Sequence, residues 1–458
     1  MAKDSPHYTH YTRQIHHLLS KVYGRSIVKD SLLDQAIDYF TKEEFCPSDK
    51  EVSTEESHTL QVQRTERYAC LLSISRTILE LSEGENFAES NRKSSQFLGT
   101  LQLIAPTEGD KIAASNEQSK SVYKAVLCLR LLDHLIINDQ MDDPYINKFL
   151  VNLSANEYID WASHDNKAYQ RFVAQVKIPL IIAALIQDIG HYHPKAQTLL
   201  CGGEAKLDPL RTLDVKERKE LLQINYRETC QYLIEGVGIP TFVGNTKIER
   251  DQFLIDEQDK LSFIKQLLHK SISPKDVIGN LLKVPQIYTS IILSTKANYN
   301  YKLLPKVFQV LNKNAALGAC DQNVVDALYK IIGMFPQGFG VVYMPYGELF
   351  EQGDCYEYGI VNSLYPEKPE QPHCRMTTRQ LTFIGYGQNI IVPNNKNLYF
   401  TGTAKKLAKL SKERLNEILE LLSSNAKERK EFDLLPRCWH AHEFFSVKVN
   451  QKLWNKVE

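Results

Sequence analysis

The sequence predicts a mainly α-helical protein with a small antiparallel β unit near its C-terminus. Three observations carry this reading. Apolar residues recur at helical spacing through much of residues 32–332. The stretch 180–186 (LIIAALI) is apolar throughout and rich in Leu and Ala, the texture of a buried helix and not of a strand. At Gly333 the texture changes to short β-branched and aromatic runs broken by Gly, Pro and Asn.

The elements follow in order. Leu32, Ala36, Ile37 and Phe40 mark one early helix, and Leu71, Ile74, Ile78 and Leu81 another. Residues 46–61, rich in Ser, Glu and Thr, and the polar stretch 82–96 are expected to be loops. A third loop over 107–119 precedes a helix at 122–137, whose face carries Val126, Leu129, Leu132 and Ile136. Pro179 implies a kink or fresh start in the helix that ends near Ile189. Asp214 with Glu217 reads as a capping box for a helix bearing Leu222, Tyr226, Cys230 and Leu233. Pro274 precedes a helix over 277–288, Pro305 opens another, and Asp321 caps the next, with Val324, Leu328 and Ile331 facing inward. Residues 337–403 form the β unit, and Leu407 to Leu422 carry the apolar stripe of a last helix. The expected division is 1–120, a helical N-terminal region; 121–336, the helical core domain; 337–403, the β unit; and 404–458, the C-terminal helix and tail.

Composition narrows the function. The 458 residues are 43% hydrophobic, and 55 basic residues balance 55 acidic ones, for a net charge of zero. General nucleic-acid binding needs a basic face to neutralise phosphates, so no nucleic-acid partner is expected. The chain begins without an apolar signal segment, and its most apolar stretch is too short to span a bilayer. Nine cysteines, widely spaced and without a CxxC pair, read as reduced thiols. A cytoplasmic location is the expectation. No P-loop and no GxSxG nucleophile motif is present; Cys201-Gly202-Gly203 is a short turn.

One segment does carry a chemical suggestion. Gln187-Asp188-Ile189-Gly190, within ALIQDIGHYHP, closes the buried apolar helix. It resembles the helix of the HD superfamily of metal-dependent phosphohydrolases, which ends in His-Asp. The segments that follow resemble, in order, the HD-GYP branch, the phosphodiesterases of cyclic di-GMP. These are LRTLDVKERKELLQINYRETCQYL, then ISPKDVIGNLLKVPQIYTSI, NYNYK and ACDQNVVDALYKIIGMFP. Phe335-Pro336-Gln337-Gly338, Tyr346-Gly347-Glu348 and Gly359-Ile360-Val361 are similar to that family's β extension. The resemblance spans roughly residues 150–372 and implies an HD-like helical core. In the family, the paired imidazole and carboxylate hold a metal that lowers the pKa of a bridging water.

This chain departs from the pattern where metal would bind. Gln187 stands for the histidine, Asn225 for the next histidine and Pro285 for the late aspartate, so Asp188 alone is retained. Nothing between Asn225 and Ser273 resembles the His-His-Glu or Gly-Tyr-Pro phrases. A site for two or three cations needs several imidazoles and carboxylates. Asp188 is therefore expected to be structural, for instance as a cap on a neighbouring helix. His191 and His193 are expected in a solvated loop before Pro194, and the dipeptide His164-Asp165 is read as chance. Cys438, His440 and His442 alternate. On a strand over 437–445 they would share one face, within reach of a zinc ion, against the plainer reading of an edge packed by Trp439, Phe444 and Phe445.

The resemblance thus implies a catalytically degenerate HD-GYP-like protein, a binding or interaction module in bacterial signalling of the cyclic di-GMP type, with a protein partner, a cyclic dinucleotide as a further ligand, and no cofactor. The alternatives are an active phosphodiesterase using iron or manganese at Asp188, His191 and His193 with acids such as Glu249 or Asp251, and a purely structural scaffold. The β unit is the expected contact surface, through open strand edges and exposed Tyr343, Tyr346, Tyr356 and Tyr358.

Overall fold

The computed structural model describes residues 7–24, 30–43, 54–106, 111–151, 153–203, 206–296, 298–345, 356–379, 382–405, 413 and 441–455. The chain is mainly helical, with a small four-stranded antiparallel sheet near the C-terminus. Five helices open it: α1 (His10–Tyr23), α2 (Leu32–Glu43), α3 (Thr54–Ser82), α4 (Phe87–Ile104) and α5 (Ile112–Ile137). Short helices α6 (Pro144–Asn147), α7 (Ala155–Ile159), α8 (Trp161–His164) and α9 (Asn166–Phe172) follow. A π-helical stretch, Val173–Lys177, then leads into α10 (Ile178–Ile186). After a 3-10 turn, Ile189–Tyr192, come α11 (Pro194–Cys201) and α12 (Val215–Gln231). A second π-helical stretch, Tyr232–Val237, precedes α13 (Lys247–Lys270), α14 (Val277–Ile292), α15 (Val307–Ala316) and α16 (Gln322–Ile332).

Helix α5 is the axis of the molecule. It packs on α10, α14, α4 and α16, and its side chains are buried almost without a break from Ser121 to Leu135. A helix buried on all sides has no solvent face on which to place a charge. Lys124, Arg130 and Asp133 are nevertheless there, so each must find a partner inside the protein. Those partners define the two polar sites described below.

Several sequence expectations hold locally. Pro179 falls at the start of α10, where the π-helical stretch Val173–Lys177 gives way to regular α-helix within one continuous run. Asp214 and Glu217 form the capping box of α12, and Asp321 caps α16 through the amides of Asn323 and Val324. Others are corrected. Residues 54–61 are the start of α3, a helix end that is polar on all faces and so shows no apolar stripe. Residues 87–96 belong to α4, capped by Asn86; its inward positions are Ser90, Ser94 and Ser95, which hydropathy does not register. The Ser94 hydroxyl donates to the carbonyl of Ser82, so small polar residues let α3 and α4 approach closely. Residues 112–119 are likewise helical, and α5 runs straight through position 120. One apolar core extends from Ile15 to Val392 across that point.

The continuous helical run from Asn166 to Tyr192 is long and apolar enough to cross a membrane, and 83% of its apolar window is buried inside the protein. Its apolar character is therefore matched by the helices packed around it.

In the sheet the order is β1 (Gly340–Tyr343), β2 (Glu357–Val361), β3 (His373–Met376) and β6 (Asn389–Ile391), each antiparallel to its neighbour. The two-residue strands β4 (Thr378–Arg379) and β5 (Thr382–Phe383) pair separately. The expectation of exposed tyrosines and open edges is corrected here. Tyr343, Tyr356 and Tyr358 are all buried, and Tyr346 lies outside the described residues. The outer side of β1 is occupied: Leu398 N–H donates to the Val342 carbonyl, and Met344 N–H to that of Lys396. Helix α17 (Thr401–Ala404) follows, and the expected helix over 407–422 falls outside the described residues apart from Glu413.

Helix α18 (Ala441–Ser446) replaces the strand expected around His442 and Phe445. Beyond it the chain returns to its beginning. Gln451 Oε1 accepts from Thr9 N–H at 3.0 Å and from the Thr12 hydroxyl at 2.8 Å, while its Nε2 donates to the His7 carbonyl at 2.9 Å.

Candidate functional site

The turn after α10 places Gln187 and Asp188 against α5, and the contact is made by a lysine. Lys124 Nζ donates to Gln187 Oε1 at 2.8 Å and to Asp188 Oδ2 at 2.9 Å. From α14, Gln286 Nε2 donates to the other carboxylate oxygen, Asp188 Oδ1, at 3.1 Å. Asp188 is thus held by two donors from two helices, and it caps nothing: its side chain makes no hydrogen bond to the 3-10 turn it precedes. The lysine is almost wholly buried, whereas 43% of the Asp188 side chain remains exposed. The carboxylate therefore faces solvent while the ammonium does not. Burial alone would raise the Asp188 carboxyl; the Lys124 ammonium, helped by His191 and Lys120, outweighs it and holds the group at about 2.

The residues around this pair are fixed by close packing. Asn225 Nδ2 donates to the Gln187 carbonyl at 3.0 Å, and Gly190 N–H donates to the Thr229 hydroxyl at 3.1 Å. A Cβ on Gly190 would stand 2.3 Å from the Asn225 carbonyl oxygen, so only glycine lets α12 come this near. Gln187 Nε2 reaches the Ser271 hydroxyl at 3.3 Å. Pro285 is buried inside α14, one residue before Gln286, with no N–H to offer the carbonyl one turn back.

Of the positions singled out in the sequence, Gln187, Asp188 and Asn225 come together, and Pro285 stands beside them. The two histidines are not solvated. His193 is buried: its Nδ1 accepts from Lys195 N–H at 3.2 Å, capping α11, and its Nε2 is 3.8 Å from Glu228 Oε2. His191 Nε2 is buried with no hydrogen-bond partner among the described residues. Burial pushes the His191 imidazole below its ordinary value, against the pull of Asp188. Glu249 and Asp251 do not join the set. They sit in the exposed first turns of α13, whose far end carries Ser271, about 30 Å away at the helical rise. His164 ends α8, and Asp165 caps α9 through Ala168 N–H. Cys438 and His440 lie outside the described residues, and the backbone of His442 is helical in α18.

Among the described residues, no three His, Cys, Asp or Glu side chains converge as metal ligands would. The donor set at Asp188 does not fit a pair of divalent ions. Gln187 already gives its oxygen to an ammonium, Asn225 uses its amide on a backbone carbonyl, and Pro285 has no donor.

A second polar site lies further along, in the C-terminal half of α5, and sequence reasoning missed it. Arg130 pairs with Glu83 and, at 2.8 Å, with Asp133. Lys177, at the end of the first π-helical stretch, reaches Glu83 at 2.8 Å and Asp133 at 3.2 Å. The Tyr158 hydroxyl completes the shell of Asp133 at 2.6 Å. Two cations and two carboxylates balance one another out of water. Burial would raise the Asp133 carboxyl, but Lys177 and Arg130 keep it below its ordinary value. A cavity of about 850 Å³ opens beside this quartet, lined by Glu83, Tyr169, Asn166 and Ile178 among others. The signal for both sites was present in the sequence as Lys124, Arg130 and Asp133 within the mostly apolar run 122–137.

Comparison with family models, with curated proteins and with solved structures finds no match.

Proposed function

We propose that this chain is a catalytically degenerate protein of the HD-GYP type, serving as a binding or interaction module in bacterial signalling. The observation that carries the reading is the Lys124 ammonium, seated between Gln187 Oε1 and Asp188 Oδ2. A tethered cation there makes the charge contact that a metal would make with Asp188. It cannot lower the pKa of a water or act as a Lewis acid on a phosphoryl oxygen. What remains is a hydrogen-bonded polar cluster with a solvent-facing carboxylate, suited to contacting a ligand and not to cleaving one. A cyclic dinucleotide and a partner protein are the ligand classes that the sequence resemblance supplies.

The test is elemental analysis of protein purified without chelator, paired with a hydrolysis assay on cyclic di-GMP in added Mn²⁺. The expected result is no stoichiometric iron or manganese and no turnover above background. Two metals per chain, lost on Asp188→Ala, or turnover abolished by Asp188→Asn, would overturn the proposal.

A further inference from the structure

The cavity of about 850 Å³ beside the Glu83 quartet lies outside the reading of Asp188, and its size is that of a small-ligand pocket, about 300–1,000 Å³. Its charges are sorted by place. Arg76, exposed on α3, makes no hydrogen bond or ion pair among the described residues. Lys93 comes in from α4, and its Nζ meets only the Glu80 carbonyl, at 3.4 Å, one turn beyond Arg76. At the other end Glu85 has no cation within ion-pair distance among the described residues, and its N–H holds the Glu89 carboxylate beside it at 3.1 Å. Glu83, between the two ends, is already neutralised by Arg130 and Lys177. Leu79, Val173 and Ile178 give the cavity an apolar wall. That wall includes the π-helical stretch: Ile178 N–H donates to the Val173 carbonyl, five positions back. Such widened turns are rare and concentrate at functional sites. Seven positions separate Arg76 from Glu83 on one face of the same helical run, about 10 Å at the helical rise.

We propose that this cavity binds a free short peptide, its C-terminal carboxylate on Arg76 and Lys93 and its N-terminal ammonium on Glu85. A peptide residue spans at most about 3.3–3.6 Å, so about three residues bridge the two charged ends. The Arg76 guanidinium suits a carboxylate through its planar fork, and Lys93 adds a point charge. A ligand with one charge would leave the far end of the cavity unmatched, whereas a zwitterion of this length satisfies both. Because both termini are read, the ligand is a free peptide and not an internal stretch of a protein. Apolar side chains along it meet Leu79, Val173 and Ile178. The proposal goes beyond the reading of Asp188 and does not depend on it.

The probe is the free tripeptide Ala-Leu-Ala, titrated calorimetrically into the full chain. One site per chain, saturating at millimolar peptide, is expected. Amidating its C-terminus or acetylating its N-terminus should each weaken binding by about tenfold or more, as loss of a charge-assisted hydrogen bond does. Arg76→Gln should weaken the free peptide by the same factor and the amidated one no further. Glu85→Gln should pair in the same way with the acetylated peptide. Lys167→Gln, an exposed residue of α9 off the cavity wall, also removes one positive charge and should change nothing. Arg76 and Glu85 are both exposed, so their variants are expected to fold. No heat, equal affinity for free and capped peptides, or binding indifferent to Arg76→Gln overturns the proposal. Equally tight binding of free leucine, too short to reach both ends, overturns it as well.

Discussion

Lys124 shows how one side chain can change what a site means. Its stem is buried in α5, and its ammonium joins Gln187, which the sequence had marked as a lost ligand, to Asp188, the one it had marked as retained. Replacing it by Met keeps the stem and removes the charge. Water can reach the half-exposed Asp188 but not the Gln187 amide, so Lys124→Met is expected to cost about 1–3 kcal/mol, read from urea midpoints at constant slope. Acid supplies an independent check. An Asp carboxyl titrates at about 3.9 in an unfolded chain and at about 2 here. Its stabilising contribution is complete above the first value and lost as the pH falls through the second. The stability difference between the native chain and Asp188→Asn should therefore shrink from about pH 4 to about pH 2. A constant difference over that range would mean that Asp188 is not held by Lys124. The sequence located Gln187, Asp188 and Asn225 because they follow one another along matching segments. It did not locate Lys124 or Gln286, 64 and 98 positions away, because no local pattern says where a long polar side chain will reach.

At the scale of elements, the same helix is anchored by charge a second time in its C-terminal half. The quartet of Glu83, Arg130, Asp133 and Lys177 ties the end of α3, the C-terminal half of α5 and the π-helical stretch before α10 into one unit. Removing one cation leaves two buried carboxylates sharing the other. Lys177→Met should cost about 3–5 kcal/mol, whereas a well-packed apolar replacement of Lys177 and Asp133 together should cost much less. A double variant that costs the sum of the two single variants, measured by thermal unfolding, would show that the charges act independently. The helices themselves were legible where an apolar stripe meets a capping residue, as at Asp214 and Asp321. They were illegible where the inward face is serine, as in α4, or where the sequence of a helix end is mostly polar, as at the start of α3. The β unit was placed correctly, but its tyrosines were assigned to the wrong side. Chain texture reports a strand, not which face a neighbouring cluster will cover. Leu398, Phe444 and Trp454 cover Tyr356 and Tyr358 here.

Across the whole molecule four buried or part-buried histidines share one direction of pH response. His16 on α1, His134 on α5, His191 in the 3-10 turn and His373 on β3 are each pushed below the ordinary imidazole value, chiefly by burial. Groups kept neutral in the folded chain add stability that is complete above the unfolded value of about 6.5 and is lost as the pH falls. The melting temperature should therefore decline from pH 7.5 to pH 5, and replacing His134 by Gln should flatten part of that slope. A melting temperature independent of pH across this range would contradict the burial described.

The contact between Gln451 and Thr9 bears on time as well as on stability. The two residues are 442 positions apart, so at about 5–20 residues per second a ribosome needs about 20–90 s to make the second after the first. Throughout that interval the first turn of α1 exists without the amide that satisfies Thr9 N–H and the Thr12 hydroxyl. The nascent N-terminus must wait, within reach of proteases and chaperones, for the last helical turns to emerge.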